Sequence, residues 1–500
     1  MENFTNNNKY NGYYVFLFSF ILSLITYGFA LTNYSVTIDN ETPIYSDFGM
    51  IFGRWGQNLI RYHIFGGHLQ YFTLILSLFC FSLASLRLSK LFNFEGLKAY
   101  AFCCLFLTFP QVSYQIIFSM MADVSGIGVL LSILCVELFL KAIEMETLLK
   151  KALCFLSIVL LLVFLFSIYQ AFILFPVTIL MMLFFINTFK DNFILSFELK
   201  KILSFFVVLV LSAFLYVLSV KLLCPPIPES GYLSSFVSGN SKNLISNFLT
   251  LWKTNLLGNA FYGEKLFMIV PILLMVLVLK IFKSRKYIIY RILSMLFLVL
   301  SPFFISFFIT SGYNPPRLYL TSNLVFAFFC IFFIEYFKLV NFHITKIIVV
   351  LFAIINIYFI TNLFNSVNKI YKHDRRIAEK IDDVINSKYP NFETTNKVVY
   401  FHGSLPYDYH QKFRLENSEI FGGSFYSWDN GSNFRLINFF NVADVAEYKM
   451  VEEDMKDKYF GIKDAITKMP SWPDRGSIKM INEIVVVKLG SIKGAPLFFE

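Results

Sequence analysis

Residues 152–187 read ALCFLSIVLLLVFLFSIYQAFILFPVTILMMLFFIN. No charged side chain occurs between Lys151 and Lys190. A bilayer core takes about 20 apolar residues at 1.5 Å rise per residue, so this stretch holds two membrane spans that turn at Tyr169-Gln170. The same pattern recurs on both sides of the hairpin. Apolar runs bounded by charges or by Pro and Gly predict eleven spans, starting near residues 13, 68, 98, 124, 152, 171, 202, 265, 292, 318 and 345. The fold class is therefore an α-helical polytopic membrane protein, a bundle of about 11 transmembrane helices.

The composition agrees. Of the 500 residues, 57% are hydrophobic, 19% aromatic and only 15% charged, against about 25% charged in soluble domains, which excludes an ordinary cytosolic enzyme. The net charge of +10 is unevenly spread: residues 1–364 hold 24 Lys and Arg against 14 Asp and Glu, whereas residues 365–500 hold 19 of each. The excess belongs to the membrane part, where topology explains it and no nucleic-acid partner is implied. Six of the seven cysteines sit inside apolar runs, so neither a disulfide framework nor a cysteine metal site is implied.

With the N-terminus inside, the inward turns carry 17 basic residues, from Lys9 through Arg87, Lys141, Lys190 and Lys280 to Lys346, while the outward loops before residue 365 hold six. The positive-inside rule thus orients the chain N-terminus cytoplasmic, and an odd number of spans leaves the C-terminal tail outside. Composition changes abruptly after Asn362. Residues 1–364 read as the multi-span domain and 365–500 as a small extracytoplasmic α/β domain, with a helix over 367–387 and strands over 397–402 and 483–489.

Two outward loops are long, 32–67 and 224–264, and long loops in compact proteins are usually functional. In the first, Asp47, Arg54, Asn58 and Arg61 share one helical face and Phe48, Ile51, Phe52, Trp55 and Leu59 the other. This predicts an interfacial helix lying apolar face down on the outer leaflet; Leu244 to Leu257 predicts a second. The two would frame a groove where a lipid-borne group meets an aqueous one.

Few outward residues can carry chemistry. Asp39, in Thr37-Ile38-Asp39-Asn40-Glu41, is close enough to the membrane surface to act as general base on an acceptor hydroxyl, or is a solvated loop acid. Asp123 opens the fourth span as a catalytic or substrate-binding acid, or as a helix cap that complements the dipole. Arg317, after Pro315-Pro316, suits a phosphate group because a guanidinium stays charged and grips in a fork, or is a snorkelling interface anchor. Tyr169 and Gln170 bind a sugar or satisfy the turn backbone. His63 and His68 flank Gly66-Gly67 and leave room for a divalent metal, although their spacing matches no established metal motif. There is no Walker loop, dinucleotide fingerprint or GxSxG, so no nucleotide cofactor is implied.

Thr37-Ile38-Asp39-Asn40-Glu41, then Phe52-Gly53-Arg54-Trp55-Gly56, Ile168-Tyr169-Gln170-Ala171 and Pro316-Arg317, taken in order, resemble the type II serotype-converting O-antigen glucosyltransferases of bacteria. So do Phe421-Gly422-Gly423-Ser424-Phe425, Trp428-Asp429, Met469-Pro470-Ser471-Trp472-Pro473 and Ile484-Val485-Val486-Val487-Lys488 in the tail. The resemblance implies a glycosyltransferase of the GT-C type in the bacterial inner membrane. Its donor is a polyprenyl-phosphate sugar, typically glucose, and transfer is inverting, onto a lipid-linked or surface glycan. Asp39 matches the acidic position of the family's first loop and Arg54 its Gly-Arg-Trp signature. Because negative charge builds on the leaving phosphate, one carboxylate and one or two arginines are the minimal equipment, so Asp39, with Glu41, is expected to be catalytic, Arg317 with Arg54 to bind the donor phosphate, and Trp55, Asp123, Tyr169 and Gln170 to contact substrate. One departure stands out: paired acids are expected where this chain has Asp39-Asn40, and Glu41 is the acid left to stand in. The rival class is a transporter or flippase of lipid-linked sugars, which would place ionisable groups at the bilayer midplane rather than in outer loops. A polysaccharide polymerase or ligase would differ in donor, taking a glycan on pyrophosphate.

Overall fold

The computed structural model describes residues 5–42, 48–67, 69–226, 245–246, 249, 253, 264–282, 286–308, 315–339, 343–390, 392, 397–405, 415, 418–451 and 463–490. Among these, nine helices are long and apolar enough to cross a membrane: Gly12–Thr32, Gln70–Leu91, Ser119–Glu144, Leu148–Ile168, Gln170–Asn187, Leu195–Leu223, Ile288–Ile305, Pro316–Tyr336 and His343–Lys388. Leu97–Thr108 and Ile269–Ile281 are apolar but shorter. The protein is a polytopic helical membrane protein. Nine of the eleven expected starts correspond to these long helices; the other two, near residues 98 and 265, fall at the shorter helices, which do not reach the length of a span. The first short one ends where Phe109-Pro110 turns the chain into a 3-10 segment, because proline lacks the N–H that the next helical bond needs. His343–Lys388 runs 46 residues as one helix, about 69 Å at 1.5 Å per residue, where the sequence suggested a span and a separate tail helix.

The chain divides into two compact units, Met1–Leu31 with Tyr45–Thr361, and Thr32–Ile44 with Asn362–Glu500. In the first, small residues set the helix crossings. A Cβ on Gly126 would lie 2.7 Å from the Ser77 carbonyl oxygen, so the helices Gln70–Leu91 and Ser119–Glu144 approach backbone to backbone, as expected where lipid supplies no hydrophobic drive between helices. Serines inside these helices satisfy themselves locally: Ser82 and Ser132 donate to the carbonyls four residues back, at 2.7 and 2.8 Å. Phenylalanines fill the rest, with Phe92, Phe102, Phe185, Phe328 and Phe332 in mutual ring contact.

The segment after residue 47 is not the single interfacial helix that its periodicity suggested. It is broken into Phe48–Ile51, Trp55–Asn58 and a π-helical turn, Leu59–Ile64, with Gly53 at φ +72° between the first two. Of the polar face Asn58 and Arg61 pack into the protein, whereas Leu59 of the apolar face is exposed. Beside lipid an apolar side chain is cheap to expose, and polar groups find their partners inside the protein. Asp47, His68 and most of the second suggested helix, Leu244 to Leu257, lie outside the described residues.

The second unit contains a three-stranded sheet of β1 (Val399–His402), β2 (Ile478–Ile481) and β3 (Ile484–Lys488), in the order β1-β3-β2. β3 pairs parallel to β1, with Val399 beside Val485, and antiparallel to β2, with Ile481 beside Ile484. As the central strand it is the most apolar, Ile-Val-Val-Val, and its first four residues are buried. Asn482 and Glu483 both have positive φ, 51° and 68°, which is the twist a two-residue hairpin demands. β2 was not foreseen, because Ile-Lys-Met-Ile is too short and too mixed to register as a strand. Val398, Tyr400, Ile466, Met469, Ile484 and Val486 form a core on one side of the sheet.

Candidate active site

In the second unit, the segment Val36 to Thr42 is buried except at Asp39. A tight turn fixes it: Asn40 N donates to Thr37 O at 2.9 Å and the Asn40 side-chain amide to Thr37 Oγ1 at 2.5 Å. Asp39 has φ +72°, a left-handed conformation that costs a non-glycine residue energy and that clusters at functional sites. Ile38 seats against Gly423, where a Cβ would come within 2.8 Å of Ile38 Cγ1. The Phe421-to-Phe425 stretch is thus glycine-bearing because the acidic turn packs there. Asp374 holds that stretch, accepting from Ser424 Oγ and from Phe425 N, each at 2.9 Å.

Asp39 and Glu41 meet at one guanidinium. Arg435 Nη1 donates to Asp39 Oδ1 at 2.9 Å and to Glu41 Oε1 at 2.5 Å, and its Nε donates to Asp429 Oδ2 at 2.6 Å. Arg435 lies in the first turn of the helix Asn433–Val442, where the helix dipole disfavours a cation; the three carboxylates offset that. Asn433 clamps the same turn onto β1, donating to Phe401 O at 2.8 Å and accepting from Phe401 N at 2.6 Å. Burial alone would lower the affinity of Arg435 for its proton, but Asp39, Glu41 and Asp429 together reverse this and raise it. The Glu41 side chain is 1% exposed and that of Asp39 37%. Burial, reinforced by Asp39 and opposed by Arg435 and by the backbone N–H of Glu41 itself, pushes the Glu41 carboxyl from 4.5 up to about 7. Its Oε2 is buried with no hydrogen-bond partner among the described residues. The place a divalent cation would take between these acids is filled by the guanidinium, and no cluster of three metal-ligating side chains occurs among the described residues.

In the first unit, the Phe52-Gly53-Arg54-Trp55-Gly56 stretch is held from three sides. Gln170 Nε2 donates to Phe52 O and to the Tyr216 hydroxyl, both at 2.8 Å, and Tyr216 donates to Gly53 O at 3.2 Å. Trp55 Nε1 donates to Ser219 Oγ at 2.9 Å. At Gly56 a Cβ would lie 2.1 Å from Ser167 Oγ, so only glycine fits. These contacts set Arg54 over the Tyr169 ring, 4.7 Å from its centroid, and 5.1 Å from that of Phe52. Gln170 therefore serves the loop backbone, and Tyr169 carries the arginine.

Three arginines converge on residues 118–123. The Arg317 guanidinium lies 5.1 Å from the Phe118 ring centroid, Arg54 Nη1 is 4.0 Å from Met121 Sδ, and Arg61 Nη2 is 2.5 Å from Asp123 Oδ1. Gln57 Nε2 donates to Met120 O at 3.3 Å. The turn that carries Arg317 is fixed by Gln111 and Gln115, whose amides donate to Pro316 O and Arg317 O. Asp123 was foreseen as a cap or a site acid; it accepts from Val124 N at 2.8 Å and pairs with Arg61. Sequence reasoning missed Arg435 and the burial of Arg61. Nothing local in the sequence marks Arg435, whose acidic partner Asp39 lies 396 positions away.

The family model for glucosyl transferase GtrII matches residues 28–334. That range is more than half of the chain and holds Asp39, Glu41, Arg54, Arg61, Asp123, Tyr169, Gln170 and Arg317. No curated protein and no solved structure matches the chain. With the apolar helices that carry these residues, the match settles the family: the chain belongs to the glucosyl transferase GtrII family, the type II serotype-converting glucosyltransferases that its sequence resembles.

Proposed function

We propose that the protein is an inner-membrane glucosyltransferase of the GT-C type that moves one glucose, with inversion, from a polyprenyl-phosphate donor to O-antigen or a related lipid-linked glycan. The reaction takes place at the outer face. The N-terminus is cytoplasmic and residues 365–500 are extracytoplasmic, a topology supported by 17 basic residues in inward turns against six in outward loops.

The observation that carries the catalytic reading is a pair of carboxylates, buried Glu41 and the more exposed Asp39, held on the one guanidinium of Arg435; burial pushes the Glu41 carboxyl up to about 7. A general base works best with a pKa near the working pH. Glu41 takes the proton of the acceptor hydroxyl, and Asp39 orients that hydroxyl at the exposed edge of the pair. The acceptor oxygen bonds to the anomeric carbon from the face opposite the leaving phosphate, and the C–O bond to phosphate breaks with its electron pair on the phosphate. Arg54 and Arg317 bind that phosphate and stabilise the charge that builds on it. Trp55 and Tyr169 serve as substrate contacts of the first unit, where Tyr169 lies under Arg54, and Asp123 acts through its ion pair with Arg61.

The donor class is tested with purified protein in liposomes, offered either polyprenyl-phosphate glucose or UDP-glucose together with lipid-linked glycan. Transfer from the lipid donor alone, with inverted anomeric configuration in the product, is expected. Transfer from UDP-glucose, or retained configuration, would overturn the donor and the mechanism respectively.

A further inference from the structure

The carboxylates of Asp39 and Glu41 share more than proximity. Each gives one oxygen to Arg435 Nη1, which leaves each with a second oxygen. For Glu41 that second oxygen, Oε2, is buried and without a hydrogen-bond partner among the described residues. A buried carboxylate oxygen left so is expensive unless a ligand completes it. The arginine itself is anchored independently of the two acids, through Nε to Asp429 Oδ2. Asp429 and Asn430 both adopt positive φ, 48° and 56°, and that conformation sets the anchor's place. Backbone energy is thus spent at both ends of the contact, at Asp39 and at Asp429, to hold one guanidinium between them.

We propose that Arg435 is a positioning residue for acceptor activation: by taking one oxygen of each acid it fixes both carboxylates and leaves Glu41 Oε2 to accept the acceptor's hydroxyl proton. This rests on the reading of Asp39 and Glu41 as the catalytic acids. It adds the residue that makes two unequal acids work as a pair, one fixed at the exposed edge and one in the interior. The charged groups acting on Glu41 are Arg435, which favours its ionised form, and Asp39, which opposes it. Asp429 acts on it through Arg435.

The proposal is tested with the full-length protein in native membranes, by two readouts taken on wild type, Arg435→Gln and Arg435→Lys. The first is the pH dependence of Glu41 labelling by a hydrophobic carbodiimide, which reacts with the protonated carboxyl and is read by mass spectrometry of the peptide. The second is the pH profile of glucose transfer. Arg435→Gln should move the labelling midpoint upward by on the order of one to three pH units, since an opposite charge in contact accounts for a shift of that size. The rising limb of the transfer profile should move with it. Arg435→Lys keeps the charge and should keep the midpoint within half a unit or so, yet lower kcat about tenfold or more, because an ammonium does not reproduce a fork held on three carboxylates. An unmoved labelling midpoint in Arg435→Gln, or a wild-type kcat in Arg435→Lys, overturns the proposal. A moved midpoint combined with wild-type transfer by Glu41→Gln overturns instead the reading on which it rests.

Discussion

Arg61 and Asp123 form an ion pair at 2.5 Å with side chains 2% and 1% exposed. Arg61 Nε and Nη1 and Asp123 Oδ2 have no further hydrogen-bond partner among the described residues, so each charge depends on the other. The pair ties the π-helical turn Leu59–Ile64 to the start of the helix Ser119–Glu144, next to the residues that Arg54 and Arg317 contact. Removing one partner strands a buried charge at a cost of about 3–5 kcal/mol, whereas removing both together costs far less. Asp123→Ala is therefore expected to lower the melting temperature in detergent markedly, and Arg61→Met with Asp123→Leu to restore most of the loss. Equal destabilisation by the single and the double variant would contradict an ion pair of this kind.

The two arginines assigned to phosphate should behave differently from Arg61. Arg54 and Arg317 are half-buried and stacked on rings, whereas Arg61 is almost fully buried. Arg54→Ala and Arg317→Ala should each fold with near wild-type melting temperature and lose on the order of 10²-fold in kcat, by analogy with the deletion of one oxyanion donor. Single-turnover transfer beside a thermal melt separates the two effects. A folded Arg317→Ala protein with wild-type turnover would remove Arg317 from the mechanism.

Gly56 is a steric requirement rather than a hinge. Gly56→Ala forces a Cβ onto Ser167 Oγ and should destabilise by about 1–3 kcal/mol, the usual cost of overpacking. It should also displace Trp55 and Arg54, raising KM for the lipid donor. Adding Ser167→Ala removes the oxygen in question and should recover part of the loss. No recovery in the double variant would locate the clash elsewhere.

The shifted Glu41 carboxyl makes stability and activity depend on pH in opposite directions. Its folded pKa, about 7, lies above the ordinary value of 4.5. The folded state therefore holds the proton more tightly between these values, and the contribution to stability is full below about 4.5 and lost as pH rises through about 7. Transfer needs the ionised form and should rise over the same upper range, with a midpoint near 7. Glu41→Gln should flatten this part of the stability profile. A wild-type stability profile in Glu41→Gln would show that Glu41 titrates normally.

Much of the membrane unit was legible because a span announces itself through some twenty consecutive apolar residues, and residues 152–187 need nothing else to be read. Asp39, Glu41, Arg54 and Arg317 could be singled out because charges are rare in the loops that the positive-inside rule assigns to the outer face. Arg435 could not. It stands 396 and 394 positions from the acids it grips, and in a tail with 19 basic residues nothing local marks it. The segment 48–64 misled for a different reason. Its amphipathic period was real, but in a chain surrounded by lipid the polar face turns inward, as Asn58 and Arg61 do. The inclusion of Thr32–Ile44 with the second unit was likewise hidden, since a short polar segment after a span looks the same wherever it packs.

The most direct test of the account is transfer of labelled glucose from polyprenyl-phosphate glucose to lipid-linked glycan, in membranes holding equal amounts of wild-type, Asp39→Asn or Glu41→Gln protein. The account predicts robust transfer by wild type and a loss on the order of 10²-fold or more in Glu41→Gln, the usual range for a general base, with a smaller loss in Asp39→Asn. Wild-type transfer by Glu41→Gln would contradict it.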